Sequence, residues 1–217
     1  MLEGILFDLE NTLVVRESYR REIDQVIFDA IAQTRSCGIA EARLMFTEMR
    51  TCFSTTSATL EALRVPKEEL HTRLERVKLS NPVAVTEGMP DVLYRLVAQG
   101  LKLGLVTNMP KGLTLTILSS AGIPKDLFAA IVTGSDTCRP KPALEPFCLA
   151  THLMALCSRH CMMVGDREEV DLDPARELGM ITVLVSSAAL RADYALASLS
   201  ELECLIVQQY GSGVGIK

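Results

Sequence analysis

Beyond residue 82 the chain alternates between short apolar runs and amphipathic stretches. The runs are "LKLGLVT" (101–107), "AAIVTG" (129–134), "CMMVGD" (161–166) and "ITVLVS" (181–186), and one more, "GILF" (4–7), opens the chain. Each is too short for a stable helix and continuously apolar, which predicts a strand buried on both faces. The segments between them carry helical spacing at 90–99, 111–120, 143–156 and 172–178. A last helix is predicted near Ser200–Gln209, its start marked by the capping-box pattern Ser200-x-x-Glu203. Strands buried on both sides need helices on both sides, so the pattern predicts a parallel sheet between two helical layers.

The fold class is therefore α/β, a Rossmann-like parallel sheet with helices on both faces, interrupted once. Between the first strand and residue 82 the spacing is wholly helical: Tyr19, Ile23, Val26, Ile27, Ala30 and Ile31 fall on one face, and Gly38 ends that helix. A second helix is predicted over about Ala40–Phe53, and Pro66 separates a short helix from one carrying Leu70, Leu74 and Val77. The expected organisation is a core domain of residues 1–15 and 82–217 with a small all-α cap domain, 16–81, inserted after the first strand. Segments 14–18 and 81–86, the latter within "SNPVAVTEGMP", are the expected hinges.

A hydrophobic fraction of 48% against 23% charged residues places the chain among globular proteins. A net charge of −5 without a long basic run argues against nucleic acid or an anionic membrane as the main partner. No apolar run approaches the roughly 18 residues of a transmembrane helix. The opening "MLEGILFDLE" puts acids where a signal peptide carries basic residues. The expectation is a soluble, cytoplasmic protein. Seven cysteines without regular spacing read as reduced thiols. Cys148, His152, Cys157, His160 and Cys161 could in principle gather around zinc, but they include no CxxC pair and read first as core and surface residues.

Ligands of open parallel sheets bind at the carboxyl ends of the strands. Four such ends here carry polar residues: Asp8 and Glu10 after the first strand, Thr107 and Asn108 in "TNMPK", Lys141 in "TGSDTCRPKP", and Asp166 and Asp171 in "GDREEVD". Each has work to do if the substrate is a phosphate ester. A carboxylate such as Asp8 can attack phosphorus, clustered acids call for a hard divalent cation such as Mg²⁺, and Thr107 with backbone N–H groups at a helix start seats an anion. Lys141 adds fixed positive charge. Glu10 could protonate the leaving oxygen and then activate water.

These four segments, in this order, resemble the four motifs of the haloacid dehalogenase-like (HAD) superfamily of hydrolases. "FDLENTLV" resembles the first, D-x-D-x-T; "GLVTN" the second; Lys141 in "RPKPALEPF" the third; and "VGDREEVDLDPARELGM" the fourth. The resemblance covers the sheet portions, about 1–15 and 82–210, and the helical insert is similar to the cap of the phosphoglycolate phosphatase-like subgroup. The resemblance implies that Asp8 is nucleophile and metal ligand and that position 10 gives its carbonyl to Mg²⁺ and its side chain as general acid and base. It implies that Thr107, Asn108 and Lys141 hold the phosphoryl group, with Asp166 a metal ligand and Asp171 supporting the metal directly or through water. Asn11 falls where the family carries Gly or Asn. The implied protein is a Mg²⁺-dependent phosphatase of a small phosphorylated metabolite.

Glu10 departs from the pattern, one methylene longer than the usual Asp. A misplacement of about 1 Å can cost on the order of 10²-fold in rate. Three outcomes stay open: a working phosphatase, a sluggish one, and a phosphate-binding relative without turnover. A metal-independent dehalogenase is the other enzyme reading, opposed by the paired acids Asp166 and Asp171. Arg167 stands where the family often has Ser, free to meet substrate or to pair with Glu168 or Glu169. In the insert, Arg16, Arg20, Arg50 and Arg64 are positioned either as solvated helix residues or as contacts for an anionic substrate group.

Overall fold

The computed structural model describes residues 1–186 and 191–211. The stretches 187–190 and 212–217, which the expected core domain includes, lie outside the described residues. Six strands form one sheet: β1 (Gly4–Phe7), β2 (Lys102–Val106), β3 (Phe128–Val132), β4 (Cys161–Gly165), β5 (Ile181–Val185) and β6 (Tyr194–Leu196). Their order is β3-β2-β1-β4-β5-β6, every neighbouring pair parallel. The first five answer the five apolar runs. The sixth, three residues of "DYALAS", was not expected, because nothing that short carries a readable period.

Period-two alternation divides the strands between two apolar layers. Ile5, Phe7, Leu103, Leu105, Met162, Val164 and Val183 join the larger core, where α5 (Asp91–Ala98), α6 (Lys111–Ser120) and α9 (Leu202–Tyr210) contribute Leu93, Ile117 and Ile206. Leu6, Ala130, Val132, Met163 and Leu184 face the other way, against Phe147 of α7 (Glu145–Leu153) and Ala175 of α8 (Asp173–Glu177). One helix start differs from expectation. Ser198 and Glu201, not Ser200 and Glu203, form the capping box, because the chain first makes a 3₁₀ turn at Leu199–Glu201. Glu203 instead ion-pairs with Arg95 at 2.5 Å.

Before α5 the chain between β1 and β2 forms α1 (Arg20–Arg35), α2 (Ile39–Arg50), α3 (Thr56–Ala62) and α4 (Lys67–Leu74). Ile23, Ile27, Ile31, Leu60, Leu70 and Leu74 are buried among them. The chain leaves and re-enters the sheet region side by side. Val15 N–H donates to the Ala84 carbonyl at 2.8 Å, Thr86 N–H donates to that of Leu13 at 3.1 Å, and Val14 bridges Val85 antiparallel. A short hydrogen-bonded ribbon thus occupies the segments expected to be hinges.

Strand order reverses between β1 and β4, since the chain builds outward through β2 and β3 on one side and through β5 and β6 on the other. The crevice beyond the carboxyl ends at such a reversal is where open α/β sheets bind ligands. Asp8 follows β1 and Asp166 follows β4, so the two acids flank it.

Candidate active site

Lys141 is the centre of the site. Its side chain is 1% exposed, a position that an unpaired lysine essentially never holds. Nζ donates to Asp8 Oδ1 at 2.5 Å, Asp171 Oδ1 at 2.7 Å and the Val106 carbonyl at 2.8 Å, using all three of its donors. Burial alone would lower its pKa; the charges of Asp171 and Asp8 outweigh it, and the net shift is upward.

The lysine reaches this point because Asn108 grips its backbone. Asn108 Oδ1 accepts from Lys141 N–H at 2.8 Å and Asn108 Nδ2 donates to the Lys141 carbonyl at 2.9 Å. The loop before Lys141 approaches so closely that a Cβ on Gly134 would stand 2.3 Å from the Asn108 carbonyl oxygen. The Asn108 side chain therefore positions Lys141, and the residue also lines the cavity where a substrate contact is expected.

Asp8, Asp166 and Asp171 bring carboxylate oxygens within 4.8 Å of one another. Burial, and then the neighbouring Asp171 and Asp166 charges, push the Asp8 carboxyl up to about 7 against the pull of Lys141. Burial and Asp171 raise Asp166 as well. One ammonium beside three carboxylates leaves surplus negative charge in a poorly solvated place. A donor set made of oxygens alone fits a hard divalent ion such as Mg²⁺. Among the described residues this is the one grouping of three or more His, Cys, Asp or Glu close enough for a shared ion; the cysteines and histidines of 148–161 do not converge.

The three acids have different settings. Asp171 is fully buried, its Oδ1 bound to Lys141 and its Oδ2 accepting from Arg167 N–H at 3.2 Å. It sits so close beneath β4 that a Cβ at position 165 would lie 2.6 Å from its own Cβ, which is why glycine ends that strand. A π-helical turn, Glu168–Leu172, carries it there. Asp8 and Asp166 line a cavity of about 530 Å³ together with Glu10, Thr107, Asn108 and Lys141. Thr107 is buried, and its Oγ1 accepts from Met109 N–H at 3.3 Å. Asn11, held at a φ of 57°, donates to Asp166 at 3.4 Å and accepts from Arg16 N–H at 3.3 Å. Asn tolerates that left-handed conformation better than other side-chain-bearing residues, which gives a backbone reason for Gly or Asn at that position.

Glu10 is 28% exposed at its side chain and stands apart from the acid trio. Its Oε1 accepts from the Tyr19 hydroxyl at 3.4 Å and lies 3.3 Å from Arg16 Nε. Burial shifts its pKa upward, opposed by Arg16. Tyr19 was expected as one more apolar residue on a helix face; it precedes α1, and its buried ring carries a hydroxyl to Glu10. The spacing from Glu10 to Tyr19 crosses a turn of irregular backbone, so no sequence period could have found this pair.

The model of haloacid dehalogenase-like hydrolases matches residues 5–185.

The chain belongs to this family.

Among the family's curated members, a Methanocaldococcus jannaschii protein named glyceraldehyde 3-phosphate phosphatase is 37% identical over 120 residues, covering 51% of each chain. The Escherichia coli phosphoglycolate phosphatase is 33% identical over 93 residues, 43% of this chain and 36% of that one. The aligned part thus spans about half or less of the curated relatives. A HAD phosphatase structure from Thermococcus onnurineus matches the fold at a TM-score of 0.72 and 23% identity, over 99% of this chain and 100% of that one. The family's first-motif Thr corresponds to Thr12, which is fully buried.

Two more basic residues reach the cavity from opposite sides. Arg167, after β4, sends Nη1 to the Ser54 carbonyl at 3.2 Å, and Arg50, at the end of α2, donates to the neighbouring Phe53 carbonyl. Lys67 of α4 donates to the Thr137 carbonyl at 3.0 Å, a second bond from the insert to a loop of the sheet region. Arg64 also lines the cavity, whereas Arg20 is spent on Glu17 and Asp24.

Proposed function

We propose that the protein is a Mg²⁺-dependent phosphatase that hydrolyses a small phosphorylated metabolite through an aspartyl-phosphate intermediate. The observation that carries this reading is the buried Lys141 bound to Asp8 in the lining of a cavity shared with Asp166 and Thr107. Lys141 holds Oδ1 of Asp8, leaving Oδ2 as the oxygen to attack phosphorus. Thr107 seats the phosphoryl oxygens, Lys141 lends them its fixed positive charge while its three donors stay on Asp8, Asp171 and the Val106 carbonyl, and Asn108 keeps Lys141 in register from behind. Asp8 and Asp166, with the Glu10 carbonyl, would hold Mg²⁺, and Asp171 supports that site by orienting Lys141 and the Arg167 amide. The bound ion would neutralise charge on the transferring phosphoryl group.

Glu10 would protonate the leaving oxygen and then draw a proton from the water that cleaves the acyl phosphate. Its upward-shifted pKa suits a group that begins as the acid. Tyr19 and Arg16 fix the longer side chain, which favours a tuned Glu over a decayed Asp. The helices of 16–81 act as a cap domain over the 1–15 and 82–217 core, excluding water during transfer. Two-stranded attachment at 13–15 and 84–86 and the Arg167 and Lys67 bonds fit that role. In this reading the protein works in the cytoplasm, where small phosphorylated metabolites are made; separately, no helix among the described residues is long and apolar enough to cross a membrane.

Phosphate release from a panel of sugar phosphates, phosphoglycolate and nucleotides, with Mg²⁺ and at high enzyme concentration, tests the reading. Turnover lost with EDTA and in Asp8→Asn is expected. Silence across the panel would refute it, and chelator-insensitive halide release from haloacids would replace it.

A further inference from the structure

Arg50 and Arg167 converge on one turn. They bind consecutive carbonyls, Phe53 and Ser54, yet one guanidinium belongs to α2 of the insert and the other to the loop after β4. Both line the cavity. Like charges held together in a partly buried place repel, so the arrangement needs a reason. Arg16, the third guanidinium nearby, is matched by Glu10 at 3.3 Å and Asp24 at 3.7 Å. Arg50 has no such match: the charged groups acting on it are Arg167 and Arg16, with no carboxylate among them among the described residues. Arg167 has Asp166 at 3.8 Å and, farther off, the charge of Glu10, which Arg16 already pairs. Each guanidinium carries five donors and spends one on its carbonyl, so several remain for a ligand.

Resting on the phosphatase reading, we propose that Arg50 and Arg167 form a distal anion seat for a second negative group on the substrate, so that the preferred substrate is a phosphate monoester bearing a carboxylate or a second phosphoryl group. The seat is split between insert and sheet region. An anion bridging the two guanidiniums removes their repulsion only when the insert is down over the cavity. Recognition of the second anion is thereby coupled to closure, and an ester without it leaves the two arginines opposed. Arginine suits the task because its planar fork grips carboxylate and phosphate oxygens in pairs.

Calorimetric titration of the full-length protein at saturating Mg²⁺ tests this with three unreactive probes: ethylphosphonate, phosphonoacetate and ethane-1,2-bisphosphonate. One or both doubly functional probes are expected to bind about 10- to 100-fold more tightly than ethylphosphonate, the scale of a hydrogen bond between charged groups. Which of them gains identifies the second group as carboxylate or phosphoryl. Arg50→Gln should remove most of that advantage and Arg50→Lys should retain part of it. Equal affinity for all three probes in the wild type, or an undiminished advantage in folded Arg50→Gln, would overturn the seat. Selective binding without phosphate release from any ester would uphold the seat and refute the catalytic reading. Hydrolysis with no preference for a second anion would refute the seat alone.

Discussion

Replacing Lys141 with Met removes the ammonium and keeps most of the side-chain length. Three acceptors then lose their donor at once: Asp8 Oδ1, Asp171 Oδ1 and the Val106 carbonyl. Taking one partner from a buried ion pair costs about 3–5 kcal/mol. In a chain of this size each kcal/mol moves Tm by about 2–4 °C, so Lys141→Met should melt about 6–20 °C below wild type near pH 8 in EDTA. The deficit should depend on pH. Asp8 already titrates near 7 with the lysine present, well above the usual value near 3.9 of an unfolded chain. A carboxyl with a raised folded pKa binds its proton more tightly when folded, so its stabilisation is present at low pH and fades as pH rises through that pKa. Without Lys141 the folded pKa climbs further, and the variant goes on losing stability above pH 7, where the Asp8 contribution in wild type has levelled off. Circular dichroism melts at pH 5, 6, 7 and 8 should show the gap widening upward, and Mg²⁺ should narrow it by supplying charge to the same oxygens. A variant as stable as wild type at pH 8, or a gap of constant size, would refute the placement of Lys141 among buried acids.

Asn108→Ala should destabilise by about 1–3 kcal/mol, because two hydrogen bonds to the Lys141 backbone are lost, and should slow turnover more than it weakens substrate binding; an unchanged kcat would count against the clamp. Glu10→Asp draws the carboxylate back by about 1.5 Å, one C–C bond, from Tyr19 and Arg16, and turnover should fall on the order of 10²-fold; a gain would mean that the glutamate is a lesion. Metal-free protein should gain about 2.7 kcal/mol of stability with Mg²⁺ at 100 times Kd, read as a higher Tm, and Asp166→Asn should abolish the gain while raising the metal-free Tm. In alkylation mapped by mass spectrometry at pH 8, Cys52, Cys138, Cys148, Cys157 and Cys204 should react while buried Cys161, its thiol pushed up to about 12 by burial, resists; labelling of Cys161 at the same rate would contradict its place in β4.

Periodicity made the sheet readable, since a strand buried on both faces writes itself as an apolar run, and the parallel arrangement placed Asp8, Thr107, Lys141 and Asp166 at one edge. What stayed hidden depends on direction in space. Asn108 and Thr107 are neighbours in sequence and both line the cavity, but the Asn108 amide also turns back to hold the Lys141 backbone. Tyr19 has the spacing of a core residue, and nothing local announces that its hydroxyl meets Glu10. Arg167 reaches the turn at Ser54 across 113 positions of chain. The sixth strand and the Ser198 cap were missed because segments of three residues carry too little pattern.

The opening strand of the chain lies in the middle of the sheet, between β2 and β4. At the ribosome, Gly4–Phe7 has no neighbour until Lys102 and its successors emerge, a wait of about 5–20 s at 5–20 residues per second. Its other flank stays bare until Cys161 arrives. Nascent protein therefore passes through a long interval with a sticky, unpaired segment, and yield during synthesis should respond to chaperone supply more than the finished molecule's stability would suggest.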